Sequence, residues 1–104
     1  MAQPRGKTKQ VTTSSTAQVE LVSLESTSHS KRGVVAYLHS ASVAGTMSLF
    51  YKDATNTDRL LKTATVTAND LTVINVDFRV PNAVLKITPS ASTSSVVNAE
   101  IIGF

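Results

Sequence analysis

The sequence predicts an all-β fold: an antiparallel β-sandwich or small barrel of about seven short strands, preceded by a disordered N-terminal arm. Short runs rich in β-branched residues recur at intervals of about 8 to 14 residues, separated by turn-forming residues. One run alternates with a two-residue period, and no segment shows the 3.6-residue apolar period of a helix. The 104 residues fit one domain, which we divide into an arm (1–16) and a sandwich (17–104).

The arm is basic and polar. The formal net charge of the chain is +3, and the arm contributes all of it through Arg5, Lys7 and Lys9. The seven other basic residues balance the seven acidic ones. A segment without an apolar face has little burial to offset the entropy of ordering it. We therefore expect the arm to be disordered on its own and ordered by a partner, with Arg5, Lys7 and Lys9 as the partner-binding residues.

The predicted strands share short lengths and a high content of Val, Ile, Leu and Thr. In chain order they are 19–24, 34–39, 46–52, 59–68, 72–80, 83–88 and 96–104. Alternation indicates that Met47 lies on a buried face of its strand and that Phe50 lies on the opposite face. The strand at 72–80 shows the clearest alternation, which places Phe78 on the same face as Ile74. Residues 53–58 and the pair Asn69-Asp70 are typical of turns.

Few residues could support catalysis or bind a metal. Because the chain has no cysteine, disulfides and thiolate sites are excluded. His29 and His39 belong to different elements and have no acidic residue at metal-ligand spacing, so we expect an exposed turn histidine and a histidine at a strand end rather than metal ligands. The acidic residues of 53–58 do not have the spacing of a calcium loop. No serine lies in a Gly-x-Ser-x-Gly turn. We expect no enzymatic activity, no metal and no cofactor.

The arm leaves three roles open: a solvated tail, a contact with nucleic acid, or docking on a neighbouring protein subunit. Three cations without aromatic residues would bind nucleic acid only weakly and in a salt-dependent way, so a nucleic-acid partner is not favoured. The longest apolar run, 34–38, is far shorter than the roughly 18 to 20 residues of a membrane span. No membrane association is expected.

The C-terminal strand ends on apolar residues. Exposed apolar residues at the end of a strand promote aggregation, so they are expected in the core or between subunits. We expect Ile102 to be nearer the core and Phe104 nearer an interface. Phe50 interrupts the alternation of its strand, so it is also expected in the core or between subunits. The candidate subunit-interface residues are therefore Phe50, Ile102 and Phe104.

The stretch 73–92 (VINVDFRVPNAVLKITPSAS), together with the basic arm at 2–16, resembles small β-sandwich proteins of tailed-phage virions, especially capsid decoration (cement) proteins. This resemblance implies a structural protein without enzymatic activity that is located in the virion and assembled in the host cytoplasm. It also implies a homo-oligomer, with a trimer favoured, that clamps the major capsid protein or another virion protein.

The alternative is a receptor- or carbohydrate-binding module of a phage tail or fibre. A sugar-binding site usually presents exposed aromatic rings. The chain has no Trp and only five other aromatic residues, which counts against this alternative.

Overall fold

The computed structural model describes residues 5–24, 33–78, 80 and 82–103, and for Arg5 it describes only the backbone. Within these ranges every regular element is a β-strand, which confirms the predicted all-β class. The strands are β1 (Arg5–Thr13), β2 (Val19–Leu24), β3 (Val34–Ser40), β4 (Gly45–Lys52), β5 (Asp58–Val66), β6 (Thr72–Val76), β7 (Ala83–Pro89) and β8 (Ser95–Gly103). No helix in the described ranges is long and apolar enough to cross a membrane.

The strands form two four-stranded antiparallel sheets. Sheet A has the order β1-β8-β3-β6, and sheet B has the order β2-β7-β4-β5. Most consecutive strands lie in different sheets, and the strands adjacent in each sheet are mostly distant in sequence. This connectivity is that of an eight-stranded jelly roll, a sandwich of two Greek keys. The predicted sandwich is therefore confirmed in preference to a barrel.

The core lies between the sheets and is almost entirely aliphatic. Alternating residues of β3, β6 and β8 point inward from sheet A, and those of β4 and β7 do so from sheet B. The largest side chains with almost no exposure are Leu21, Leu24, Leu38, Met47, Leu49, Ile74, Leu85, Ile87 and Ile101. Met47 is buried as its alternation predicted, and Tyr51 on the same face packs partly buried against the core.

Residues 5–13 correct the expectation of a disordered arm. They form β1, which pairs with β8 from Arg5↔Gly103 to Thr13↔Ser95. The low apolar content of the arm is no obstacle, because the backbone groups at the edge of β8 bind a strand of almost any composition. The arm also contributes some burial, since Thr13 is buried and Val11 packs partly buried against the core. The sandwich therefore has eight strands rather than about seven.

Two further details differ from the sequence prediction. The regular part of β6 ends at Val76, so Phe78 falls outside the alternation and is 56% exposed instead of lying on the buried face with Ile74. In β8 it is Ile101 that points into the core. Ile102, which we expected nearer the core, points to the outer face of sheet A and is half-buried. Phe104 lies outside the described residues.

Candidate interaction surfaces

The basic residues of β1 lie along one edge of the sandwich. Lys7 and Lys9 pair with Ile101 and Ala99, which point into the core, so the two lysines extend toward the same side. There they line an open cleft between β1 and β2, together with Glu20. The structure thus gathers Lys7 and Lys9 on one face of an edge strand. Only the backbone position of Arg5, opposite Gly103, is described.

Phe50 lies on the outer face of sheet B, on the side opposite the core-facing Met47. Its strand neighbours on this face are Val84 of β7 and Leu60 of β5. Val84 is buried although it points away from the main core, and Leu60 is 57% exposed. We call Phe50, Leu60 and Val84 the sheet B patch.

Charged residues surround the sheet B patch. Lys86 Nζ lies 5.0 Å from the centroid of the Phe50 ring and donates a hydrogen bond of 2.7 Å to Asp58 Oδ2. Lys52 Nζ lies 3.8 Å from Asp58 Oδ1. The hydrogen bond from Lys86 is the main cause that lowers the pKa of Asp58, and the charges of Lys86 and Lys52 act in the same direction. Asp58 therefore stays ionised and neutralises part of the positive charge beside the ring.

The β4–β5 turn is closed by Asp53. Its Oδ1 accepts hydrogen bonds from the backbone N–H groups of Thr55 and Thr57 and from the Thr55 hydroxyl, and its Oδ2 accepts one from Arg59 Nε at 2.8 Å. These donors hold the pKa of Asp53 well below its ordinary value, with the Thr55 hydroxyl contributing most. Asn56 adopts a left-handed φ of 63° at the tip. Asp53 faces its own turn while Asp58 faces Lys86, so the two carboxylates do not converge on a common cation.

The outer face of sheet A is polar at its centre. His39 Nε2 and Glu100 Oε1 are 3.0 Å apart, and the His39 and Tyr37 rings stack with centroids 5.7 Å apart and planes 7° from parallel. Gln10 Nε2 donates to Asn98 Oδ1 at 2.9 Å, which links β1 to β8 on the same face. These side chains bind one another, so their polar atoms are largely engaged within the sheet. His29 lies outside the described residues.

The predicted subunit-interface residues do not form one surface. Phe50 is on the outer face of sheet B and Ile102 is on the outer face of sheet A, with the whole sandwich between them. The two residues therefore cannot contact the same flat partner, and Phe104 is not described. Sequence alternation identified the face of Phe50 within its strand, but it could not show which sheet each strand joins.

A further surface, around β6, is not evident from the sequence. We call β6 and its flanking residues 70–78 the β6 edge. Three of the five large apolar residues with high exposure in the described ranges lie on it: Leu71 (58%), Val73 (43%) and Phe78 (56%). The exposed Asp70 and Asp77 flank the strand. Lys62 Nζ of β5 donates to the Asn75 carbonyl at 3.3 Å. The only sequence feature that could indicate this surface is the apolar composition of 71–78. Alternation by itself predicts that this segment is a half-buried strand of the core.

Comparison with known proteins gives matches of fold only. No family model matches the sequence, and no curated protein matches it significantly. The solved structure of the Yersinia pseudotuberculosis-derived mitogen is 15% identical, covers 97% of this chain and 87% of its own, and gives a TM-score of 0.65. The SPBc2 prophage-derived protein YomS is 9% identical, with coverage of 98% and 96% and a TM-score of 0.54.

A Bacillus endospore appendage protein, from a family that forms disulfide-linked pili, is 11% identical, with coverage of 96% and 87% and a TM-score of 0.51. These likenesses extend over nearly the whole chain and agree with the two-sheet sandwich described above.

Proposed function

We propose that this chain is a non-enzymatic structural protein of a phage particle: a capsid decoration protein that binds the major capsid protein or another virion protein and associates with copies of itself. The observation that carries the proposal is the placement of apolar side chains on the outer surface of a jelly roll. Jelly rolls are a recurrent architecture of viral capsid domains. The whole-chain likeness of fold to a prophage-derived protein supports the same assignment.

The sheet B patch is the surface that we assign to the virion partner. Leu60 is exposed next to the half-buried Phe50 ring, which lies opposite Val84 of β7 and beneath the Lys86 amine. Apolar side chains that are fixed in this way can be buried by a partner with little loss of side-chain entropy. The lysines at its border would contact acidic groups of the partner. An interface with a buried aromatic centre and a charged rim follows from this arrangement.

The charged residues of sheet B support a structural role rather than a catalytic one. Asp53 is held by the donors of its own turn, and Asp58 is held by Lys86. A carboxylate that is ionised and bound in this way is poorly suited to general acid–base work near neutral pH, which needs a pKa close to the working pH.

The carbohydrate-binding alternative is not favoured by the geometry of sheet A. A sugar ring packs on the open face of an aromatic side chain. On this sheet the Tyr37 and His39 rings lie nearly parallel, with centroids 5.7 Å apart, so that the His39 ring crowds one side of Tyr37. The neighbouring carboxylate of Glu100 already contacts His39. The remaining polar atoms are therefore less available to hydroxyl groups of a sugar.

The test is the recovery of the chain with particles. An epitope-tagged copy is expressed in the cells that produce this protein, and particles are purified on a density gradient after lysis. We expect the tagged chain in the particle band, and Leu60→Lys should move it to the soluble fractions. Val96→Lys is the matched control, because Val96 is also an exposed apolar residue (46%) but lies on the outer face of sheet A. Absence of the wild-type chain from every particle fraction would overturn the proposal.

A further inference from the structure

The edges of sheet A differ sharply in how they are protected. Edge strands usually carry charged residues or bulges that prevent pairing with another chain. β1 carries Lys7 and Lys9. In sheet B, β2 has an irregular register at Glu20/Val22, and β5 carries Asp58, Arg59 and Lys62. β6 has the sequence TVINV, with no charged residue, and its pairing with β3 is regular.

We infer that the β6 edge binds the β1 strand of a second copy of this chain, so that sheet A continues from one copy into the next. The inferred contact identifies the surface through which copies of the chain associate. It rests on the proposed function, because that function includes self-association. In sheet A, β1 lies at one end of the strand order and β6 lies at the other. A head-to-tail contact would therefore use both ends and leave the rest of the sandwich unchanged.

The strand directions agree with this contact. Every neighbouring pair in sheet A is antiparallel, so β6 runs opposite to β1 within one chain. A second copy placed beside the first in the same orientation presents its β1 antiparallel to β6. The inward-facing residues of both strands would then lie on the same side of the continued sheet, which keeps the core side continuous across the junction.

Charge selects β1 of the second copy as the occupant. The β6 edge is flanked by the exposed carboxylates of Asp70 and Asp77, and β1 carries the exposed Lys7 and Lys9. Opposite charges across an interface guide and stabilise the contact over a distance of about 8–10 Å in physiological salt. Three exposed apolar side chains, those at positions 71, 73 and 78, would be covered at the same time.

The symmetric alternative, in which two β6 strands pair with each other, is disfavoured by the same charges. An antiparallel pairing centred on Ile74 brings Asp70 of each copy towards Asp77 of the other. Like charges placed together at both ends of such a short ladder are destabilising. A head-to-tail contact instead closes into a ring, such as the trimer that the sequence resemblance implies, or extends into a filament.

One contact must rearrange. Lys62 reaches the carbonyl of Asn75 on the β6 edge, where an incoming strand would place an N–H group. Lys62 is exposed and this hydrogen bond of 3.3 Å is long, so its amine can move aside into solvent. Lys62 therefore weakens the pairing without preventing it, which is typical of a lysine that guards an edge strand.

Charge reversal tests the inference on the purified chain without any particle. Light scattering coupled to size exclusion measures mass, and the wild type should exceed the 11.0 kDa of one chain over a range of concentrations. Lys7→Glu/Lys9→Glu and Asp70→Lys/Asp77→Lys should each fall to the monomer mass. An equimolar mixture of these two variants should associate again, because every contact between unlike variants joins opposite charges.

Two controls show whether a loss of mass comes from this contact. Thr46→Glu/Ala54→Glu adds negative charge to an exposed position of β4 and to the β4–β5 turn, and should leave the mass unchanged. Circular dichroism of each variant confirms that it folds. A wild type that is monomeric throughout, or a Lys7→Glu/Lys9→Glu variant that assembles normally, overturns the inference. Because no capsid enters this assay, its failure is distinct from absence of the chain from particles.

Discussion

Gly33 lies where β3 begins beside the end of β6, and replacing it with alanine tests that close approach. A Cβ atom built at Gly33 would overlap the Val76 carbonyl oxygen and lie 3.2 Å from the Val76 carbonyl carbon. Both are backbone atoms of the neighbouring strand, so no side-chain rotation relieves the overlap. The strands would have to separate locally by about 1 Å, which disturbs the Val34↔Val76 pair.

The magnitude follows from two opposing effects. Forcing extra volume into a packed site typically costs about 1–3 kcal/mol. Replacing glycine with alanine also restricts the unfolded chain, which stabilises the folded state by about 0.4–1 kcal/mol. We therefore expect Gly33→Ala to lower the free energy of unfolding by about 1–2 kcal/mol. For a domain of this size, each kcal/mol corresponds to roughly 4–8 °C in the melting temperature.

Gly6→Ala provides the matched control for this substitution. A Cβ atom at Gly6 would lie 3.3 Å from Ile102 Cγ1, which is part of a side chain that can shift. We expect this variant to be within about 0.5 kcal/mol of the wild type. Urea unfolding followed by circular dichroism measures both variants. If Gly33→Ala is as stable as Gly6→Ala, the start of β3 does not pack closely against the end of β6.

Other substitutions address the core, the sheet B patch and the charges. Leu85→Ala, in the fully buried centre of β7, should cost about 2–5 kcal/mol in urea unfolding, whereas a loss below about 1 kcal/mol would contradict its place in the core. Phe50→Ala should cost roughly 1–2 kcal/mol, from a half-buried ring and its contact with Lys86, and an unchanged melting temperature would show that the ring is not packed. The pKa of Asp58 lies below its ordinary value of 3.8, so its ionisation stabilises the fold above that value and this contribution is lost as the pH falls through the lower, folded-state pKa. Asp58→Asn should therefore be less stable than the wild type near neutral pH, and the gap should narrow in acid; melting curves that differ equally at every pH would exclude this linkage. Lys62→Ala should raise the assembled fraction in size exclusion, and a decrease would mean that the lysine supports the contact.

Alternation within strands was the most reliable sequence signal, because it depends on which side chains avoid water. It predicted β6 most clearly and placed Met47 and Phe50 on opposite faces of β4, while β-branched content and turn residues predicted the other strands from β2 to β8. It could not predict β1, whose pairing depends on backbone groups of β8 that no side-chain pattern reveals. For the same reason, no pattern in the sequence indicates that β8 lies between β1 and β3 within sheet A.

The candidate surfaces were less predictable than the strands. The sequence indicates Phe50 and Ile102 as interface residues because both are apolar and lie at positions that interrupt or end a strand. Only the order of strands in the two sheets shows that they face opposite directions. The cluster of cations in 1–9 is evident from the sequence, but its position opposite the β6 edge depends on pairing between residues that are far apart in the chain.

The pairing of β1 with β8 has a consequence for how the chain folds. Arg5 lies opposite Gly103, so nearly the whole described chain must be synthesised before the first strand has its partner. Folds dominated by such distant pairings form slowly, typically in milliseconds to seconds. Until its own β1 docks, β8 has an open edge that β1 of another nascent chain can occupy where the local concentration of chains is high enough to compete with the tethered strand. Copies translated close together would then exchange their first strands, and the rate of synthesis would influence how many molecules are interlinked.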